Sequence, residues 1–244
     1  MCLNNWGGID HKVLEFHEYV NLFSGKSGSG KSTVMDAIQV ILYGSFSPSF
    51  LNKAADDAKN RRSVLSYLRG EQKDGSANRK DCDFCSVIAL EIEDTGTHII
   101  TCIGIAFEVR KSDSEIKKFV YFSHSGKMPE SEYLTEQGVC YSNQEIKKLV
   151  SARTKSDDNR GKGEVNRIYG SKEAYLGTLY DVILGYIDQN RFITMEKSAI
   201  ALKMTNGTGQ FIRDYMFPKN TSNTIATISE QLDSYRQIKD KIED

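Results

Sequence analysis

Eight consecutive residues, Gly25-Lys26-Ser27-Gly28-Ser29-Gly30-Lys31-Ser32, carry the plainest chemistry in the chain. They fit the pattern G-x-x-x-x-G-K-[ST] without a mismatch. Glycines at these positions allow positive φ, so successive backbone N–H groups can turn inward around one anion. Lys31 offers an ammonium to the β- and γ-phosphates of a nucleotide, and the Ser32 hydroxyl is placed to ligate magnesium. Thr33 adds a hydroxyl toward the α-phosphate. The expected ligand is therefore ATP with Mg2+, bound by Gly25, Lys26, Ser27, Gly28, Ser29, Gly30, Lys31, Ser32 and Thr33, with Lys31 in the catalytic role.

Such a loop needs a strand to deliver it and a helix to receive it. Residues 19–23 read as the delivering strand, after another at 13–16 and a short first strand within 1–6. From Lys31 onward, Val34, Ala37, Ile38, Ile41 and Leu42 recur at the spacing of one buried helix face, and Gly44 supplies the stop. The positive end of that helix dipole would point at the phosphates.

A nucleotide hydrolase of this kind also needs a second carboxylate for its magnesium. Glu91, after 87–90, and Asp188, after 182–187, are the nearest candidates, and neither closes a clean hydrophobic strand. No L-S-G-G-Q-type signature is present. The chain by itself reads as half of a catalytic site.

Around the loop, residues 52–71 are charged and helical in pattern and include Arg61, Arg62 and Arg69, and 72–81 is polar loop. Segments 84–92, 98–109 and 118–122 alternate like strands, and the turns at 94–96 and 112–114 join them into an antiparallel meander. Residues 144–150 form a short amphipathic helix, 155–163 are charged and flexible in composition, and helical pattern resumes over 171–184. Further on, 198–204 reads as a strand and 209–217 as a helix ended by Pro218. In 221–244, Ile225, Ile228, Leu232, Tyr235 and Ile242 follow a heptad-like spacing. That spacing suits a surface amphipathic helix or the start of a coiled coil.

Composition sets outer bounds. The chain has 244 residues, 39% hydrophobic and 27% charged, enough for a proper core without staples. A net charge of -1 provides no global basic field, so any DNA contact must come from a local patch. Five scattered cysteines argue against a disulfide framework and for a reducing, cytoplasmic setting. Apolar runs fall well short of the roughly 20 residues that span a bilayer, so no membrane partner is expected. Cys82-x-x-Cys85 lacks the second pair of ligands that a zinc site needs and reads as two ordinary thiols, and His98 and His124 lie at no ligand spacing.

The stretch NLFSGKSGSGKSTVMDAIQVILYG, with Asp36-Ala37-Ile38 after the P-loop, resembles the N-terminal head segment of SMC-family ATPases. Leu3-Asn4-Asn5-Trp6 is similar to the first strand of such heads. RRSVLSYLRG, the meander and the late IALKMTNGTGQFIRDYMFP resemble the MukB, MksB and JetC (Wadjet plasmid-defence) branch. That resemblance implies an α/β fold, the N-terminal lobe of an ABC/SMC-type P-loop head, with an antiparallel β meander and an emerging coiled coil. It implies a head half over 1–220, with a flexible loop at about 151–163, and the start of a coiled-coil arm over 221–244. It also implies Gln210, or alternatively Gln189, as a magnesium and water contact, and Arg61, Arg62 and Arg69 as an arginine loop near phosphates or DNA. The implied partners are a second copy of the head in an ATP sandwich, a C-terminal half carrying Walker B and signature motifs, DNA, kleisin and winged-helix subunits, and a nuclease subunit. Rival expectations are a Rad50-like repair ATPase head, a self-contained P-loop NTPase or kinase using Asp188 or Glu91, and a nucleotide-binding module without turnover.

Overall fold

The computed structural model describes residues 1–26, 28–48, 51, 63–72, 75–156 and 165–200. Six strands form one antiparallel sheet: β1 (Cys2–Trp6), β2 (Ile9–Val13), β3 (Phe84–Glu93), β4 (Ile100–Val109), β5 (Lys118–Ser125) and β6 (Arg167–Tyr169), in the spatial order β2-β1-β3-β4-β5-β6. The helices are α1 (Lys31–Tyr43), α2 (Val64–Arg69), α3 (Asn143–Ser156), α4 (Lys172–Gly177) and α5 (Gln189–Ile200). Between α4 and α5 the chain continues as a π-helical stretch, Thr178–Ile183. The chain divides into two compact units, Met1–Ile193 and Thr194–Asp244.

The period-two alternation of the strands divides the core in two. Ile88, Ile103, Ile105, Phe107 and Tyr121 point to one face, where Val34, Ala37 and Ile41 of α1, Leu65 and Leu68 of α2 and Leu176 of α4 complete the larger core. Val87, Ala89, Ala106 and Phe122 point to the other, against Tyr133, Cys140 and Ile146 and Val150 of α3. In β1, Cys2 and Leu3 alternate normally, but Asn5 adopts φ 56 and returns Trp6 to the face of Leu3. The meander β3-β4-β5 forms as the alternation indicates, in continuous register from Phe84↔Val109 to Glu93↔Ile100. Asp94 closes its first turn by accepting from the backbone N–H of Gly96 (2.8 Å) and Thr97 (3.0 Å), bonds that hold its carboxyl below the usual range. Gly104 is required in β4, since a Cβ there would lie 2.4 Å from the Ile88 carbonyl oxygen.

Several expectations need correction. The strand expected at 13–16 lies earlier, at Ile9–Val13, because Cys2 pairs with Val13 and the ladder ends at the bond from Leu14 N–H to the Met1 carbonyl (2.8 Å). Residues 19–23 form no strand. The Asn21 amide accepts from His17 N–H (2.6 Å) and donates to the His17 carbonyl (2.8 Å), folding the segment back locally in place of a ladder. The P-loop is thus not carried on the sheet. Residues 151–156, expected in a flexible loop, are the last turns of α3. The helix expected over 171–184 breaks into α4 and the π-helical stretch, and residues 198–200, expected in a strand, belong to α5. β6 had no sequence expectation. The rest of the strand expected at 198–204, the helix at 209–217 and the heptad segment 221–244 lie outside the described residues.

Candidate functional site

The site begins with the N-terminus of α1. Gly30 is its N-cap, in the left-handed region at φ 89, and Gly28 precedes it at φ 84. A Cβ on Gly25 would fall 2.6 Å from the Ser29 hydroxyl, so the close return of the loop there needs glycine. No side chain caps the helix, leaving its first N–H groups for an external acceptor. The Lys31 ammonium bends back over this loop and donates to the carbonyls of Gly25 (2.6 Å) and Lys26 (2.9 Å) and to the Ser29 hydroxyl (3.3 Å). It thereby sits above the concavity that glycine backbone and helix dipole create. A polyphosphate would take those bonds over, exchanging weak carbonyl acceptors for charged ones. Ser32 is exposed and Thr33 half-buried at the same helix end. The loop, ammonium and hydroxyl suit a nucleoside triphosphate with its cation.

Helix α1 is held at both ends. Near its start, the Trp6 indole Nε1 donates to the Thr33 carbonyl (2.8 Å), and the ring stacks on Tyr67 of α2 at 5.0 Å. Tyr67 in turn donates its hydroxyl to the carboxyl of Asp36, a buried side chain of α1. The Gly7 turn passes so close that a Cβ there would meet the Thr33 methyl at 2.5 Å. Buried Arg79 fixes this turn, donating to the carbonyls of Gly7 and Leu68 and to the carboxylate of Asp10. Burial lowers the Arg79 pKa, with Asp10 opposing. At the other end, the hydroxyls of Tyr175, Tyr180 and Tyr121 donate to the carbonyls of Ile41 (3.0 Å), Leu42 (3.0 Å) and Gly44 (2.6 Å). These are carbonyls that a helix leaves without internal partners. Burial pushes Tyr121 and Tyr180 up to about 12 and Tyr175 well above its ordinary value, which keeps all three hydroxyls protonated as donors.

The remaining candidates are dispersed. Arg69 donates to the carbonyls of Lys111 (3.2 Å) and Asp113 (2.5 Å), tying α2 to the turn between β4 and β5. Asp188 accepts from Arg191 N–H (2.8 Å) at the start of α5, and Glu91 accepts from Met128 N–H (2.6 Å). Gln189 is the first residue of α5. Ser27, Arg61, Arg62 and Gln210 lie outside the described residues. Cys82 is exposed, whereas Cys85 lies in β3 with its thiol pushed up to about 11 by burial. Among the described residues no group of three His, Cys, Asp or Glu side chains is arranged to hold a metal ion.

Sequence reasoning did not find Gly7, Tyr67, Arg79 or the three tyrosines. Gly7 against Thr33, Tyr67 to Asp36 and Arg79 to Asp10 each join segments more than 25 residues apart, and no local pattern marks these pairings. Trp6 had a signal as part of Leu3-Asn4-Asn5-Trp6, and Tyr67 lay within RRSVLSYLRG, but neither signal named its partner.

A protein-family profile described as the P-loop containing region of AAA domain matches residues 1–58. The match takes in β1, β2, the P-loop and α1, the parts that the Trp6 and Gly7 contacts bind into one unit. Over these residues the chain is similar to the P-loop region of such NTPases, a likeness that supports nucleotide binding at this loop. None of the curated proteins matches the chain. No described helix is long and apolar enough to cross a membrane.

Proposed function

We propose that the chain is the ATP-binding N-terminal half of an SMC-like head of the MukB, MksB and JetC type, part of a DNA motor. In this reading Lys31 and Ser32 hold ATP–Mg2+, and a C-terminal half supplies the Walker B carboxylate. A second head then closes over the nucleotide, and hydrolysis parts the heads and moves DNA.

One observation carries this reading. The segment delivering the P-loop is apolar and solvent-facing: Tyr19 is 83%, Val20 78% and Leu22 89% exposed. Water is a poor neighbour for these side chains, and a largely apolar segment is normally covered by partner strands or by another surface. Strands from another segment would cover it and restore the strand–loop–helix order that P-loop chemistry uses. The local commitments of Asp188 and Glu91 agree with a metal carboxylate that comes from elsewhere.

The test is turnover by this chain. Calorimetry should show ATP–Mg2+ binding that Lys31→Ala removes, with phosphate release far below the roughly 1 per second of ordinary enzymes. Brisk hydrolysis by the chain alone, abolished in Asp188→Ala, would overturn the split-head reading in favour of a self-contained NTPase.

A further inference from the structure

We infer that the outer face of α3 is a docking surface for the phosphate backbone of duplex DNA. The choice of duplex DNA rests on the DNA-motor reading above. The charge argument stands on α3 itself.

At 100° per residue, Gln144, Lys148, Ser151 and Lys155 fall on one line of the helix, flanked by Lys147 and Ala152, and all six are exposed. The opposite side, Ile146 and Val150, is buried in the smaller core. The helix therefore has one face fixed to the sheet and one face of lysines, small residues and amides turned to solvent. Among the described residues no carboxylate lies within ion-pair distance of Lys147, Lys148 or Lys155.

The nearby acids are occupied elsewhere. Glu145, in the first turn, accepts from the N–H (2.7 Å) and hydroxyl (2.8 Å) of Ser142, and its own N–H donates back to the Ser142 hydroxyl (3.3 Å). This reciprocal cap starts the helix and engages Glu145, the helix's one acid. Glu108 accepts from Asn143 N–H (3.0 Å) and pairs with Lys118 (3.9 Å). Arg153 reaches back to the Lys127 carbonyl (3.1 Å), adding positive charge at the rim. In a chain of net charge -1, this is a concentrated local excess of one sign.

The chemistry of the face selects its occupant. Lys147 and Lys148 stand about 10–12 Å from Lys155 along the axis, at 1.5 Å per residue. Ser151 and Ala152 between them are short enough for a rod-shaped polyanion to approach closely. Lysine, serine and glutamine are backbone-contacting residues in nucleic-acid interfaces, where they position the protein without reading bases. These six residues line one open groove, and an acidic peptide lying in it is the alternative occupant that the polyglutamate arm tests.

Fluorescence anisotropy of a labelled duplex, titrated with the full chain without nucleotide over a salt series, tests the assignment. The parent should bind with an affinity that falls as salt rises. Lys147→Gln, Lys148→Gln and Lys155→Gln combined should cost at least about tenfold at low salt and lower the salt slope by about 2–3, near 0.9 per lost phosphate contact. Its melting temperature should stay within a degree or two of the parent, since all three side chains are exposed. A charge-matched control, Lys111→Gln, Lys117→Gln and Lys118→Gln, should keep most of the binding. Three outcomes overturn the inference: no duplex binding by the parent, an unchanged α3 variant, or equal loss in the control. Displacement of the duplex by polyglutamate at equal charge would also overturn it, in favour of an acidic protein partner. ATP calorimetry on the same samples reports separately on the P-loop, so its failure is distinguishable from failure of α3.

Discussion

The indole nitrogen of Trp6 donates a 2.8 Å hydrogen bond to the backbone carbonyl of Thr33, the third residue of the helix that starts at the P-loop lysine. The sheet is thus bonded, through β1, to the part of α1 that must face a nucleotide. At the far end of α1, three tyrosine hydroxyls hold the last carbonyls. A helix anchored twice can present its N-terminus in a fixed direction, which is what an anion site made of backbone N–H groups requires.

Replacing Trp6 by Phe keeps an aromatic ring over Tyr67 and removes only the donor. The expected cost is about 1 kcal/mol of stability, the usual net value of one hydrogen bond. Denaturant unfolding should show that loss. Nucleotide affinity should fall several-fold in calorimetry, because the start of α1 loses its anchor.

Lys31→Ala removes the ammonium that now donates to Gly25, Lys26 and Ser29. ATP affinity should drop by at least about tenfold, a free-energy change of about 1.4 kcal/mol or more. The melting temperature without nucleotide should barely move, since those bonds lie at the exposed surface. An ATP titration and a thermal melt on the same sample separate the two effects.

A methyl group at position 104 would collide with the β3 backbone. Gly104→Ala should therefore destabilise the fold by about 1–3 kcal/mol, the range for overpacking a tight interior. A drop in the denaturant midpoint without a change in slope would show that stability was lost while unfolding stayed cooperative.

Acid should unfold the protein partly through His124. This buried ring donates from Nδ1 to the Ser125 carbonyl (3.1 Å) and accepts at Nε2 from the Tyr133 hydroxyl (2.9 Å), so it is neutral in the folded state. Burial lowers its pKa from 6.5 to about 4. The unfolded chain takes up a proton below about pH 6.5, while the folded one resists until near pH 4. This contribution to stability is complete above the unfolded value and disappears as pH falls through that window. The loss is on the order of 3 kcal/mol from this residue. His124→Gln, which does not titrate, should flatten that part of the stability profile measured by urea unfolding at stepped pH.

Much of the local architecture was legible in the residues. The P-loop pattern fixed where α1 starts, the apolar spacing from Val34 to Leu42 fixed its inner face, and Gly44 fixed its end, because each signal acts within one or two helical turns. The same holds for the meander, whose period-two alternation and Asp94-Thr95-Gly96 turn are local. What only the tertiary structure decided is how α1 is held and what surrounds it. Trp6 meeting Thr33, Arg79 clasping the Gly7 turn and Tyr175 reaching Ile41 each join segments far apart in the chain, and no spacing rule encodes such contacts. The lead-in at 19–23 shows the reverse case. Its composition is that of a buried strand, yet a strand also needs an edge to pair with. Here the segment pairs with neither edge strand, β2 or β6; Asn21 closes on His17 and leaves the apolar side chains facing water.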